Sequence, residues 1–173
     1  MNEESLTNLI ALLGIAAHIF MLVVAVLLMT GKKIKALDFL GKNGIILAFI
    51  VSLTAMLGSL YYSEIVGYEP CTLCWYQRIF SYPSVFILAV ALWNRKKDII
   101  PYVMFLSGIG AVIALYHSYI QIQQITSVVC GVGEYVSCEE TYFLLYGYVT
   151  IPILSLTTFL LTMLFLHLSK ENA

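Results

Sequence analysis

Charge is what this sequence has least of. Asp, Glu, Lys and Arg make up only 11% of its 173 residues, against roughly 25% in a soluble domain. The apolar share is 61%, more than a soluble core of this size can hide, so lipid must solvate much of the chain. The net charge is −1, and no basic excess points to nucleic acid. Cysteine is scarce as well, with four in the chain. No internal repeat, low-complexity tract or polar stretch long enough for a soluble domain is present. No basic segment precedes the first apolar run, so that run is expected to be a retained helix and not a cleaved signal.

What the sequence does have is long apolar runs. A membrane helix needs about 20 predominantly apolar residues. Five stretches qualify: Leu6–Thr30, Ile45–Val66, Trp75–Trp93, Ile99–Tyr119 and Tyr148–Leu168. The third carries Gln77 and Arg78 in its first turn, and the fourth opens with Pro101 and contains Gly108 and Gly110. Proline and glycine are tolerated in membrane helices. The basic residues are sorted among the connections. Lys32, Lys33, Lys35 and Lys42 follow the first run, Arg95, Lys96 and Lys97 follow the third, and Lys170 follows the fifth. If the five runs alternate, eight of the nine basic residues fall on one side. The positive-inside rule then places the N-terminus outside, the Lys-rich connections and C-terminus in the cytoplasm, and both cysteine pairs outside.

The chemistry lies in those pairs. Cys71 and Cys74 form a Cys-x-x-Cys motif at the start of the third run. The thiolate is the reactive form of cysteine, and a helix N-terminus favours it. Residues three and four apart share a helix face, which puts Arg78 one turn beyond Cys74. A guanidinium there favours a thiolate at Cys74 and offers donors to an anionic or carbonyl-bearing ligand. The alternative is that Arg78 snorkels to lipid headgroups. A charge at a membrane edge beside a thiol favours the functional use. Cys130 and Cys138 lie in the longest outer connection, with seven residues between them, two of which are Gly131 and Gly133. They are either a loop staple, worth about 2–3 kcal/mol, or a second pair that exchanges with a partner and with Cys71/Cys74. Four-cysteine zinc binding is disfavoured, because the second spacing does not suit a structural site and no histidine pair adjoins it; no metal is expected. His117, near the outer end of the fourth run, is either a packed interfacial residue or a donor to a bound carbonyl. His18 and His167 lie away from the cysteines in this reading. The tyrosines around Trp75 most simply form an interfacial belt.

The run Glu69-Pro70-Cys71-Thr72-Leu73-Cys74-Trp75-Tyr76-Gln77-Arg78, leading into an apolar helix and followed by Cys130…Cys138, resembles the signature of the DsbB/BdbC disulfide oxidoreductases. In the vitamin K epoxide reductase family the loop pair comes first, so the order here argues against it. The resemblance covers Ile45–Leu168. It implies an all-α integral membrane helix bundle: a four-helix DsbB-like core over 45–173, preceded over 1–44 by an extra transmembrane helix and a Lys-rich cytoplasmic linker. It also implies a quinone-linked thiol oxidase in the cytoplasmic membrane of a prokaryote, the quinone being ubiquinone or menaquinone. An extracytoplasmic thioredoxin-fold thiol oxidase, DsbA-like, would attack a Cys130–Cys138 disulfide, with Cys130 forming the mixed disulfide. The loop dithiol would reduce Cys71–Cys74, and Cys74 would pass two electrons to a quinone beside Arg78. His117 matches a histidine near the family's quinone site. Two other functions fit the same cysteines: a non-catalytic membrane subunit with two structural disulfides, and an outward-directed thiol reductase. The first apolar run and the short Cys130–Cys138 loop depart from the family pattern.

Overall fold

A computed structural model of the chain describes residues 3–30, 35–125, 130 and 136–171. Six α-helices appear among them: α1 (Glu3–Met29), α2 (Lys35–Lys42), α3 (Gly44–Leu60), α4 (Thr72–Asn94), α5 (Ile100–Gln123) and α6 (Ile151–Glu171). A π-helical segment, Tyr61–Val66, extends α3. The result is the membrane helix bundle expected from the apolar runs. Among the described residues, four stretches are long and apolar enough to cross a bilayer: Ser5–Met29, Gly44–Val66, Ile100–Gln123 and Ile151–Lys170. The third expected run, α4, is not among these four, since polar side chains crowd its first half. It is nevertheless 23 residues long and packs between α3 and α5.

Local chemistry sets the helix ends. Pro101 opens α5, where its missing N–H has no intrahelical partner to lose. Gly67, at φ 85°, ends the π-helical segment in the left-handed conformation. Tyr146 and Gly147 also have positive φ. They form a turn closed by a Leu145–Val149 bridge, which delays α6 to Ile151 from the expected Tyr148. The Lys-rich connection was expected to be a loop, but Lys35–Lys42 is a short helix packed on α6. Leu37, Leu40 and Gly41 turn inward there, while Lys35, Asp38 and Lys42 remain exposed. Lys32, Lys33, Gly131 and Gly133 lie outside the described residues.

Two buried clusters occupy opposite ends of the bundle. One joins Ala48, Leu88, Ile100, Val103, Leu161 and Phe165, drawn from the start of α3 and α5 and the end of α4 and α6. The other contains Cys71, Leu73, Ile120, Cys130 and Cys138. Between them, polar groups pair across helices: Ser52 Oγ and Thr162 Oγ1 are 3.1 Å apart, which satisfies hydroxyls that lipid would leave unpaired. α1 is fastened to α6 through His18, whose ring nitrogens reach Thr157 Oγ1 at 2.7 Å and Tyr148 Oη at 3.2 Å. Small residues set the helix spacing. A Cβ on Gly110 would overlap the ring of Phe159 on α6, whereas one on Gly108 would meet nothing within 4 Å. Gly110→Ala should therefore cost about 1–3 kcal/mol by overpacking, and Gly108→Ala should be neutral or slightly stabilising. Thermal unfolding of the two variants in detergent checks the contrast.

Candidate functional site

Residues Gly67–Pro70 lead out of the π-helical segment, and proline restricts the backbone of the residue before it to extended conformations. Cys71 follows as the N-cap of α4, extended at ψ 171°. Its carbonyl accepts the Trp75 N–H at 3.1 Å, so the helix starts between the two cysteines' positions and draws them to one edge. Their Sγ atoms are 3.1 Å apart as a free dithiol. Cys130 and Cys138 are joined by a disulfide, with Cα atoms 6.1 Å apart. Because that pair is oxidised, it has no thiolates to offer a four-cysteine metal site. The donor atoms of Cys71, Cys74 and His117 do lie within 4.8 Å of one another.

His117 links the two pairs. It is 2% exposed and sits near the end of α5, antiparallel to α4. Its Nε2 is 3.1 Å from the carbonyl oxygen of Cys138 and 3.7 Å from Cys71 Sγ. Its Nδ1 is 2.9 Å from Gln77 Nε2 on α4. The sequence allows His117 to be a packed interfacial residue or a donor to a bound carbonyl; in the structure it is buried among the thiols. Gln77 went unassigned in the sequence, although a glutamine three residues after Cys74 in an apolar helix was the available signal.

Arg78 points the other way. Its Nε donates to Ser59 Oγ at 3.1 Å and its Nη2 to the Ser59 carbonyl at 3.2 Å, both on α3. Its guanidinium lies 5.1 Å from the centre of the Trp75 ring, a cation–π distance. Cys71, Cys74 and His117 are thus brought together with Cys130 and Cys138, while Arg78 flanks Cys74 on the α3 side.

The connection after Cys138 is tied over this cluster. Gln121 Nε2 donates to the Glu140 carbonyl at 2.8 Å, and Tyr142 Oη donates to the Glu69 carbonyl at 2.7 Å. Tyr68 stacks between Tyr142, 4.4 Å away, and Tyr62, 5.6 Å away. Some of the expected interfacial tyrosines therefore act as a clasp on the segment preceding Cys71. Burial and the charge of Glu140 push the Tyr142 phenol up, which keeps it a donor. A cleft lined by Cys71, Cys74, His117, Gln121, Tyr142 and Pro152 opens beside the dithiol.

Both thiols precede the apolar run that begins at Trp75, and their environments push them apart. The Cys71 thiol is pushed down to about 5, first by the hydrogen bond with Cys74, with burial opposing and His117 assisting. The Cys74 thiol is pushed up, because its proton is held in that bond and because it is buried beside Cys71. The hydrogen bond between the two thiols favours the anion on Cys71 in this arrangement, while the charge of Arg78 acts in the direction of a thiolate at Cys74. Such an arrangement supplies a thiolate and a neutral thiol side by side, against a disulfide held in the same cluster.

A family model described as disulfide bond formation protein DsbB matches residues 42–168. Among curated relatives, the SPbeta prophage-derived disulfide bond formation protein B of Bacillus subtilis strain 168 is 44% identical over 120 residues, covering 69% of this chain and 80% of the relative. Disulfide bond formation protein C of the same strain is 40% identical over 135 residues, covering 75% and 96%. A probable disulfide formation protein C of Halalkalibacterium halodurans is 45% identical over 115 residues, covering 66% and 83%. No solved structure matches the chain.

Proposed function

Because the chain belongs to the DsbB family of disulfide bond formation proteins, we propose that it reoxidises a thioredoxin-fold thiol oxidase outside the cytoplasmic membrane and delivers the electrons to a quinone. The observation that carries this reading is the meeting of all four cysteines in one cluster at one end of a membrane bundle, one pair oxidised and the other reduced. Positive-inside sorting of the basic residues supports an outward-facing site.

The chemistry is a pair of disulfide exchanges. A thiolate of the reduced partner attacks Cys130 and breaks its bond to Cys138. The partner's second thiol then displaces Cys130, leaving the partner oxidised and the loop a dithiol. The loop dithiol reduces a Cys71–Cys74 disulfide by the same two displacements and closes again. Each exchange moves two electrons and the two thiol protons. A closed loop beside a reduced Cys71–Cys74 pair is the stage of this cycle at which the dithiol is ready to be oxidised. A bound quinone supplies an acceptor for its two electrons and two protons.

The residues present fit such a group. Cys74 lies next to Arg78, and the outward side chains of Trp75 and Ile79 are 55% and 56% exposed, an apolar approach from lipid with a cation at its end. Arg78 would hold the quinone. His117, committed to Cys71 and Cys138, serves the thiols instead.

The test is quinone-dependent consumption of thiols from a reduced thioredoxin-fold oxidase by the purified protein. Arg78→Ala should raise the quinone KM about tenfold or more, the scale of a charge-assisted hydrogen bond. An unchanged KM would remove Arg78 from the quinone site, and no quinone-dependent consumption by the unaltered protein would refute the proposed acceptor.

A further inference from the structure

Gln77 is 6% exposed and His117 2% exposed, and neither polar side chain is required by the packing of two apolar helices. Burying them is costly unless each polar atom is paired. Their pairing is directional. His117 Nε2 faces the Cys138 carbonyl at 3.1 Å, and a carbonyl oxygen only accepts, so Nε2 must carry a hydrogen. In a neutral imidazole Nδ1 is then the acceptor. The group facing Nδ1 at 2.9 Å is the Gln77 amide, which must present its NH2 there and not its oxygen. The amide orientation thus follows from the backbone carbonyl at the far end of the chain of bonds. The same Nε2–H lies 3.7 Å from Cys71 Sγ, within reach of a long hydrogen bond to sulfur.

We propose that Gln77 is a positioning residue: by donating to His117 Nδ1 it holds the imidazole as the neutral Nε2–H tautomer, aiming one N–H at both the Cys71 sulfur and the Cys138 carbonyl. One buried hydrogen is thereby shared between the Cys-x-x-Cys pair and the backbone of the loop disulfide. When Cys71 is a thiolate, that hydrogen stabilises it. When Cys71 is in a disulfide, the hydrogen falls to the Cys138 carbonyl and holds the loop in place. A glutamine cannot titrate, so it fixes this tautomer at every pH at which the imidazole is neutral. The other ionisable groups around the pair are Cys74 and Arg78 on α4, and Glu69, Glu140 and Tyr142 in the outer connections. Among the described residues, none of these groups is hydrogen-bonded to His117 Nδ1.

The inference deepens the proposed relay, but its readout needs no turnover, so it fails or stands apart from the identity of the electron acceptor. The probe is the protein itself, labelled with nitrogen-15 histidine, in its Cys71–Cys74 reduced form in detergent. The two ring nitrogens of His117, assigned by loss in His117→Asn, are expected to show the Nε2–H tautomer at neutral pH. Gln77→Leu should give a mixture of tautomers and move the pH midpoint of Cys71 alkylation up by about 0.7, the worth of one hydrogen bond. Gln77→Glu should reverse the demand on Nδ1, which would then have to donate to the carboxylate. An Nδ1–H or doubly protonated ring in the unaltered protein at neutral pH would overturn the proposal. So would a folded Gln77→Leu variant with the tautomer and Cys71 alkylation profile unchanged. If Gln77→Leu does not fold, the spectrum of the unaltered protein decides.

Discussion

Serine in place of Cys71 or of Cys74 is expected to abolish quinone-dependent thiol consumption, and the double replacement should be no worse than either alone. The two sulfurs, 3.1 Å apart, form and break one bond between them, and residues that act as a unit lose activity non-additively. The two single variants should still differ in what accumulates. With Cys74 gone, Cys71 keeps its place beside His117 and in the buried cluster with Cys130 and Cys138. Its thiol has lost the hydrogen bond with Cys74 that most favoured the anion but keeps His117, and its thiolate has a disulfide to attack and no neighbour to release it. Cys74→Ser should therefore collect a mixed disulfide between Cys71 and a loop cysteine. In Cys71→Ser the remaining Cys74 thiol loses the partner that forced its proton on it, but stays buried, which disfavours its thiolate, and should remain free. Mass-tagging of thiols after denaturation in acid distinguishes the two. Full turnover in either variant would remove the Cys-x-x-Cys pair from the reaction.

Much of this arrangement is legible in the sequence because hydrophobic length and basic-residue placement are one-dimensional signals. The helices and the common end of the two cysteine pairs follow from them. Three features are not one-dimensional. The helix at Lys35–Lys42 exists because Leu37 and Leu40 find α6 to pack on, and eight residues alone would not hold a helix. The choice of Gln77 over Arg78 as the residue facing His117 depends on how α4 is rotated against α5. Positions three and four past Cys74 are both compatible with its face, and only the packing separates them. Finally, Arg78 finds Ser59 nineteen residues away on α3, and no spacing rule links the two.

Replacing Cys130 or Cys138 with serine should separate an exchanging disulfide from a staple. A staple across so short a loop contributes about 2–3 kcal/mol, so on that reading the variant is less stable and still oxidises its partner at permissive temperature. On the relay reading the variant loses oxidation of a thioredoxin-fold partner entirely, at any temperature. It keeps the Cys71–Cys74 pair, which a small dithiol such as dithiothreitol is expected to reduce without the loop. Quinone reduction driven by dithiothreitol should therefore survive while that driven by the protein partner disappears. The fold argues for this division. Cys138 is 1% exposed and its carbonyl is held by His117, while Gln121 and Tyr142 tie down the segments on either side of the cluster. A disulfide needed only to close a loop gains nothing from being packed against a second redox pair. Placing it there shortens the path between two exchanges, whose direction is set by small differences in potential: 30 mV corresponds to about 1.4 kcal/mol for a two-electron couple. Redox titration of the two pairs completes the test. A loop potential below about −300 mV, in the range of inert structural disulfides, together with retained partner oxidation in Cys130→Ser, would reduce this pair to a staple and leave the Cys71–Cys74 dithiol to meet the partner directly.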